Sequence, residues 1–491
     1  MPLLLLLVLV IGCTAASTRP NEGPASSVAR AAPVAATTPG PSDVTGGTPA
    51  PPVAAARPNV VFILADDMRY DGLWIMSSLL ELAAERGVTF ERSFATTPLC
   101  CPSRATILTG LYAHHHGVLR NDPPNGGVEA FDDRSTLGTW LRDAGIRTGL
   151  VGRYMNGYEH EEIPPGWSSW FALWQYSERN GNYFDFRVSD QGEQRYFDSR
   201  PESYSTRVLG EAARRFVAED RSTPFMLYLA PRTPHSPATP DPIDSGILKG
   251  RELPRLPSYD EEDVSDKPAW VRENGRLRKQ EVEEIENLRR RQLESLIGLD
   301  REIGALADAL RADGRLDRTW FIFTSDNGIL LGEHRLDAGK SCAYEECVRV
   351  PLVIIPPPGA VPDGARSDDR LVANIDLAPT IADIMGVRPA VPVDGRSLLP
   401  LLQDRAAPWR DALVLEAWSQ TEGKQFVALR TADRKFVDLG GEEELYDLAT
   451  DPHELENLGH TSEHAAERAR LAAHLQVLRS TPPGQEPPRL P

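Results

Sequence analysis

Cys100 opens the most chemically pointed stretch of the chain, Cys100-Cys101-Pro102-Ser103-Arg104-Ala105-Thr106-Ile107-Leu108-Thr109-Gly110. Pro102 suits the first turn of a helix, where its missing N–H would be unpaired anyway, and Gly110 suits the stop. The spacing therefore predicts a helix running to Thr109 with Cys100 at its N-terminus. Unpaired backbone N–H groups and the positive end of the helix dipole favour an anion there, and Arg104, one turn along, adds a planar cationic fork. Such a place suits sulfate or phosphate. Two buried cysteines beside an ordinary helix start fit the same residues, so the choice turns on what else converges on Cys100.

Four short apolar runs of the kind found in buried parallel strands end in residues with chemistry. Val60 to Ala65 runs into Asp66-Asp67, Thr148 to Gly152 into Arg153, Pro224 to Leu229 towards His235, and Trp320 to Phe323 towards Asp326-Asn327. Ligands of open α/β sheets bind beyond the carboxyl ends of the strands, so these residues would share one rim. Asp and Asn also follow strands because they make turns; one instance carries little, but four point to a site. Between strands, Val282, Ile285, Leu288, Leu296, Ile303, Leu306 and Leu310 step by three or four residues over much of a long amphipathic helix, possible breaks aside, with Gly314 as its stop. The Arg289-Arg290-Arg291 run, flanked by glutamates, reads as a solvated helix face. Ser236 to Asn274 reads as a long functional loop. Towards the end, Ala412 to Glu416 and Gln425 to Arg430 read as antiparallel strands and Glu463 to Leu478 as a closing helix. The expected architecture is an α/β body over residues 58–404, a mostly parallel sheet with helices on both faces, followed by a smaller α+β subdomain with an antiparallel sheet over 405–491.

The segment Cys100-Cys101-Pro102-Ser103-Arg104 with its trailing Leu108-Thr109-Gly110 resembles the C-x-P-S-R signature of the type I, formylglycine-dependent sulfatases. The resemblance extends from Arg57 to about Gly459 through Arg57-Pro58-Asn59, Thr324-Ser325-Asp326-Asn327-Gly328, Gly332-Glu333-His334, Asp376-Leu377-Ala378-Pro379-Thr380, Asp394-Gly395-Arg396-Ser397-Leu398 and Glu444-Leu445-Tyr446-Asp447-Leu448. The doubled cysteine, Lys267-Pro268-Ala269-Trp270 and the Arg289-Arg290-Arg291 helix look most like the glucosamine-6-sulfatase and heparan-sulfatase branch. The resemblance implies an alkaline-phosphatase-like fold and hydrolysis of a sulfate monoester, on a sugar such as a glucosamine 6-sulfate or on an aryl sulfate. A phosphonate or phosphate ester hydrolase of the same superfamily is the nearest alternative. A non-catalytic lipoprotein that binds sulfated glycans, with Cys100 left as a thiol, is another.

The resemblance further implies that a formylglycine-generating enzyme converts Cys100 to 3-oxoalanine, which hydrates to a geminal diol. One hydroxyl attacks sulfur; proton loss from the other then expels sulfate and restores the aldehyde, an exit that a serine ester lacks. Matching motifs give Asp66, Asp67, Asp326 and Asn327, with the modified Cys100, as ligands of one divalent ion. An oxygen set of this kind suits Ca²⁺ or Mg²⁺ over zinc. Arg104 joins the catalytic set. His235, in Thr233-Pro234-His235-Ser236-Pro237, matches the histidine that protonates the leaving alcohol or contacts the sulfate, and Lys340 matches the lysine on the sulfate oxygens. Arg153 stands where many relatives carry lysine, so a fork replaces a point charge. Two residues on, Met155 replaces a frequent histidine, and Asn156 is the candidate that supplies a hydrogen bond to substrate. Three adjacent histidines, His114 to His116, rarely face one ion together, and fit a loop flanking the active-site helix. Cys342 and Cys347 suit either a bridge or an unpaired pair on a helix, and receive no role.

The chain of 491 residues carries 53 Lys+Arg against 71 Asp+Glu, a net charge of −18, which excludes a generic nucleic-acid binder. Such an acidic surface also suits a terminal sugar or small ester better than the interior of a long polyanion. Leu3 to Ile11 is an apolar run of signal-peptide length, although no Lys or Arg precedes it, and Val10-Ile11-Gly12-Cys13 resembles a lipoprotein cleavage box. Residues 1–12 are therefore expected to direct export, with the chain either tethered to the membrane through a lipidated Cys13 or secreted. Residues 13–57, mostly Ala, Pro, Thr, Ser and Gly, fit a disordered linker.

Overall fold

A computed structural model describes residues 57–490 except 160, 175–180, 363 and 419–424. The expected signal peptide, Cys13 and all of the linker but Arg57 lie outside the described residues.

The run Val60-Val61-Phe62-Ile63-Leu64 forms the strand Asn59–Ala65, buried along its whole length. It pairs in parallel with Thr319–Ser325 on one side, from Asn59 opposite Thr319 to Ala65 opposite Ser325, and with Phe225–Ala230 on the other. Arg147–Gly152 adds to Phe225–Ala230, again in parallel. The four apolar runs are thus adjacent and point the same way, which brings Asp66, Arg153, His235 and Asp326 to one rim. Alternate residues of Asn59–Ala65 enter different cores. Val60, Phe62 and Leu64 pack with Ala105, Ile107 and Leu108, whereas Val61, Ile63 and Ala65 pack with Leu296, Leu299 and Ile303. A strand buried on both faces needs apolar residues throughout, which is why it reads as an unbroken run.

Among the described residues the sheet has ten strands and is mixed, with parallel pairings through its middle and antiparallel ones towards the edges. Leu352–Ile355 runs antiparallel to Thr319–Ser325, and Phe186–Asp190 and Glu193–Phe197 close the opposite edge as an antiparallel hairpin. Gln191 and Gly192, with φ of 54° and 89°, make the two-residue turn whose left-handed backbone matches strand twist. The helix read from Val282 onward is one unbroken element, Lys279–Ala312, and Gly314 follows in the left-handed region at φ 73°. Its arginines tie down the long loop before it: Arg289 and Arg291 donate to the carbonyls of Pro254 and Pro237. At the C-terminus Ala412–Ala417, Phe426–Thr431, Arg434–Asp438 and Glu443–Asp447 form an antiparallel four-stranded sheet. Helix Ala465–Ser480 covers it through Leu471 and Leu475.

Candidate active site

The helix Cys100–Thr109 is buried at every position and stops at Gly110 with φ 71°. Leu99, which precedes it, offers no side-chain cap, so the first N–H groups are left to other partners; Asn121 takes the N–H of Cys101 at 2.9 Å. Cys100 Sγ lies 3.7 Å from Asp66 Oδ1, 3.9 Å from Asp67 Oδ1 and 2.8 Å from Lys340 Nζ. Ligand-type atoms of Asp66, Asp67, Cys100 and His235 all fall within 4.8 Å of one another. Cys100 and Cys101 carry free thiols. Burial pushes the Cys100 thiol up despite the opposing charges of Lys340 and Arg153.

Three guanidiniums surround Asp66. Arg104 and Arg232 approach its Oδ2 at 3.3 and 3.2 Å, and Arg153 pairs with the same oxygen. Burial alone would raise this carboxyl, but Arg153, Arg232, His235 and Arg104 together hold it well below the ordinary range. Beyond its strand the chain turns sharply at Asp67, φ 65°, and the Asp67 N–H donates to Asp326 Oδ1 at 3.1 Å. Lys340 Nζ donates to Asp67 Oδ1 at 2.6 Å and Asn327 Nδ2 to the same oxygen at 2.7 Å.

Asp326 faces inward differently: Arg104 Nε donates to its Oδ2 at 3.0 Å, and the Asn327 N–H to Oδ1 at 2.9 Å. Burial, then repulsion from Asp66, pushes it up to about 6. Three carboxylates so crowded that one resists ionisation suit a cation among them. Asn327 Oδ1, moreover, is buried with no hydrogen-bond partner among the described residues. A buried acceptor left unpaired is costly, and a hard cation is the partner such an oxygen accepts. The residues present therefore fit a divalent metal.

His235 Nδ1 lies 2.7 Å from the Ser236 carbonyl, Nε2 lies 3.5 Å from Asp67 Oδ2, and Arg232 Nη2 stands 3.1 Å from both ring nitrogens. Burial outweighs the Asp67 and Asp66 carboxylates and pushes the imidazole down to about 4. Arg153 Nη2 donates to Asn156 Oδ1 at 2.7 Å. Beside this pair opens a cavity of about 160 Å³ lined by Asp122, Met155, Asn182 and Arg232 among others. Every candidate read from the sequence thus reaches one rim. Arg232 is the addition that sequence reasoning missed. Its signal was a cation two residues past the apolar run that ends at Ala230 and three residues before His235.

The three histidines bind three different partners. His114 Nδ1 meets Glu416, His115 Nδ1 meets Asp394 and His116 Nε2 meets Thr106. They sit on the four-residue helix Ala113–His116, rather than a loop, just beyond the Cys100 helix. Cys342 and Cys347 form a disulfide, because the helix at this point starts only at Glu345 and leaves Cys342 on the preceding turn.

Comparison with known proteins gives a match of residues 58–387 to the family described as Sulfatase, and of residues 332–481 to the one described as N-sulphoglucosamine sulphohydrolase, C-terminal. An extracellular sulfatase homologue of Caenorhabditis elegans is 32% identical over 376 residues, which are 73% of this chain and 52% of that protein. The chain therefore spans about half the length of that relative. The N-acetylglucosamine-6-sulfatase of Homo sapiens is 31% identical over 387 residues, 75% of this chain and 68% of the other. A solved structure described as a complex with its substrate D-glucosamine-2-N,6-O-disulfate superposes with a TM-score of 0.76 at 23% identity, covering 88% of this chain and all of that one. At that identity it speaks for the fold.

Proposed function

The chain belongs to the sulfatase family, and from that premise we propose that it hydrolyses a sulfate monoester carried by a terminal sugar, such as a glucosamine 6-sulfate, or by a small aryl alcohol. One observation carries the reading: Cys100 Sγ, at the start of a buried helix, lies 2.8 Å from Lys340 Nζ and within 4 Å of the Asp66 and Asp67 carboxylates. In this reading Asp66, Asp67, Asp326 and Asn327 hold one Ca²⁺ or Mg²⁺ together with Cys100 in its 3-oxoalanine form, made by a formylglycine-generating enzyme. The metal, when bound, stabilises negative charge on oxygen, and the hydrated aldehyde supplies an oxygen nucleophile with a built-in route for sulfate release.

The chain's own residues do the rest. Arg104 fixes Asp66 and Asp326 from a fully buried position, so the ligand carboxylates are held before substrate arrives. Lys340 and Arg153 face sulfate oxygens, where developing charge is best met by cations already in place. His235 handles the proton at the ester oxygen, and Arg232 sets its ring. Asn156, bonded to Arg153, orients that fork and offers its amide to the sugar. Residues 58–404 form the catalytic body, and 405–491 brace it. The Cys342–Cys347 bridge supports export to an oxidising compartment, with residues 1–12 as signal and Cys13 as lipid anchor or the chain secreted.

Mass spectrometry of the Cys100 peptide from protein matured in its host, paired with turnover of an aryl sulfate and an aryl phosphonate, tests the proposal. The formylglycine mass and a preference for sulfate are expected. An unmodified thiol, or a strong preference for the phosphonate, overturns it.

A further inference from the structure

We propose that the Cys342–Cys347 disulfide is a positioning device for Lys340, holding its ammonium over the nucleophile. This rests on the sulfatase reading of the site, with Lys340 as a sulfate-facing cation. The bridge spans a sequence separation of 5. A cross-link over so short a ring restricts the unfolded chain least of all, so its effect is sought in what the ring touches.

Three contacts answer. Cys347 Sγ lies 4.0 Å from the carbonyl oxygen of Gly339, the peptide that leads into Lys340. Gly328, next to the candidate ligand Asn327, donates its N–H to the Cys347 carbonyl at 2.9 Å. Ser341, directly after Lys340, donates its N–H to Pro98 at 3.1 Å, on the segment that leads into Cys100. The lysine segment is therefore suspended between the turn that bears Asn327 and the start of the Cys100 helix, with the disulfide as its covalent tie. Lysine is the side chain with much rotamer freedom to lose; an ammonium 2.6 Å from Asp67 and 2.8 Å from Cys100 depends on a fixed backbone beneath it. The far side of the ring has anchors of its own. Lys435 Nζ donates to the Ala343 carbonyl at 2.7 Å, and the Tyr344 hydroxyl to Glu444 at 2.8 Å. Gly339 is also paired with Leu330 through reciprocal backbone bonds of 2.7 and 3.3 Å, so loss of the bridge loosens residues 340–342, beyond that pair, and leaves the rest of the packing in place.

The test is a double-mutant cycle in the full-length, matured protein: Cys342→Ser/Cys347→Ser with and without Lys340→Met, read as kcat and KM on an aryl sulfate. The serine pair is expected to lower kcat about tenfold to a hundredfold, the cost of a misplacement near 1 Å, with KM changed less than about threefold. In the Lys340→Met background the same serines cost nothing further. A merely structural bridge would cost the same in both backgrounds, or change only the melting temperature, and either result overturns the proposal. Should the serine variants not fold, wild-type protein poised in dithiothreitol buffers replaces them: kcat is expected to fall with the two new thiols counted by mass spectrometry, and an unchanged kcat in the reduced protein overturns it. A wild-type protein that turns over no sulfate ester refutes the underlying function instead, and the two failures stay distinct.

Discussion

Gly328→Ala isolates how tightly the candidate site is held. A Cβ at this position would stand 2.1 Å from the Glu346 carbonyl oxygen and 3.1 Å from that of Cys347. Both are backbone atoms, so no side chain can swing aside. Reaching a tolerable separation of about 3 Å requires one strand of backbone to retreat by roughly 0.9 Å, in a packed region where added volume costs about 1–3 kcal/mol. The Gly328 N–H bond to Cys347 and the Asn327 Nδ2 bond to the Gly328 carbonyl, 2.9 and 2.8 Å, move with it. Asn327 Oδ1 is buried without a hydrogen-bond partner among the described residues, so the displacement falls on a candidate metal ligand. We expect kcat on an aryl sulfate to fall about a hundredfold, and the Ca²⁺ concentration for half-maximal reactivation after chelation to rise about tenfold or more. Gly441→Ala, where a Cβ meets nothing within 4 Å, is the control for a glycine change as such. Wild-type kcat and an unchanged Ca²⁺ midpoint in Gly328→Ala would refute the claim that this turn positions the site.

Further outcomes follow from the same geometry. Burial, then the Glu333 carboxylate, pushes Glu346 up to about 7; a carboxyl raised on folding contributes stability below its ordinary value near 4.5 and loses it as pH rises through 7. Thermal melts should therefore show stability declining by up to about 3 kcal/mol between pH 4 and 8 from this group, and Glu346→Gln should flatten that slope. Arg232→Met removes a cation from Asp66 and His235 together; a fall in kcat of at least about tenfold is expected in steady-state assays, and unchanged kinetics would remove Arg232 from the site. Chelation should abolish turnover and lower the melting temperature, both restored by Ca²⁺ or Mg²⁺, because crowded carboxylates lose their shared partner.

What the sequence made legible was whatever local pattern controls. The unbroken apolar runs had to be doubly buried strands, and Pro102 and Gly110 bracketed a helix because each has one preferred place at a helix end. The edge hairpin at Gln191-Gly192 escaped notice: its partner Glu193–Phe197 is largely exposed, so no apolar signal marks it. Lys340 was legible only through family resemblance, since a lysine after a glycine reads as surface. Arg232 was hidden for the same reason. The most opaque feature is the buried ionic lattice behind the Lys340 loop. Lys435 is fully buried against Glu345 at 3.1 Å and Glu454 at 2.6 Å, and Arg430 reaches Glu345 at 3.0 Å. Such pairs join residues tens of positions apart, and only the fold shows that these charges are not solvated.

A second set of buried charges, at the rim, bears on how the proposed function would draw an anion to an acidic protein. Over the whole chain the charge is −18, so a long polysulfate meets a net repulsion from the protein. At the rim the cations gather: Arg104, Arg153, Arg232 and Lys340 face Asp66, Asp67 and Asp326, and with Asp122 on the cavity wall the fixed charges balance before any divalent ion is counted. The sheet and the helix at Cys100 bury these groups, and burial keeps their field from being screened. The attraction is therefore strongest inside a cleft whose neighbouring cavity is about 160 Å³. On the proposed function, cations gathered in an acidic surface favour a single exposed sulfate on a small or terminal group. On the proposed function, charge distribution sets substrate size before any hydroxyl of the sugar is read.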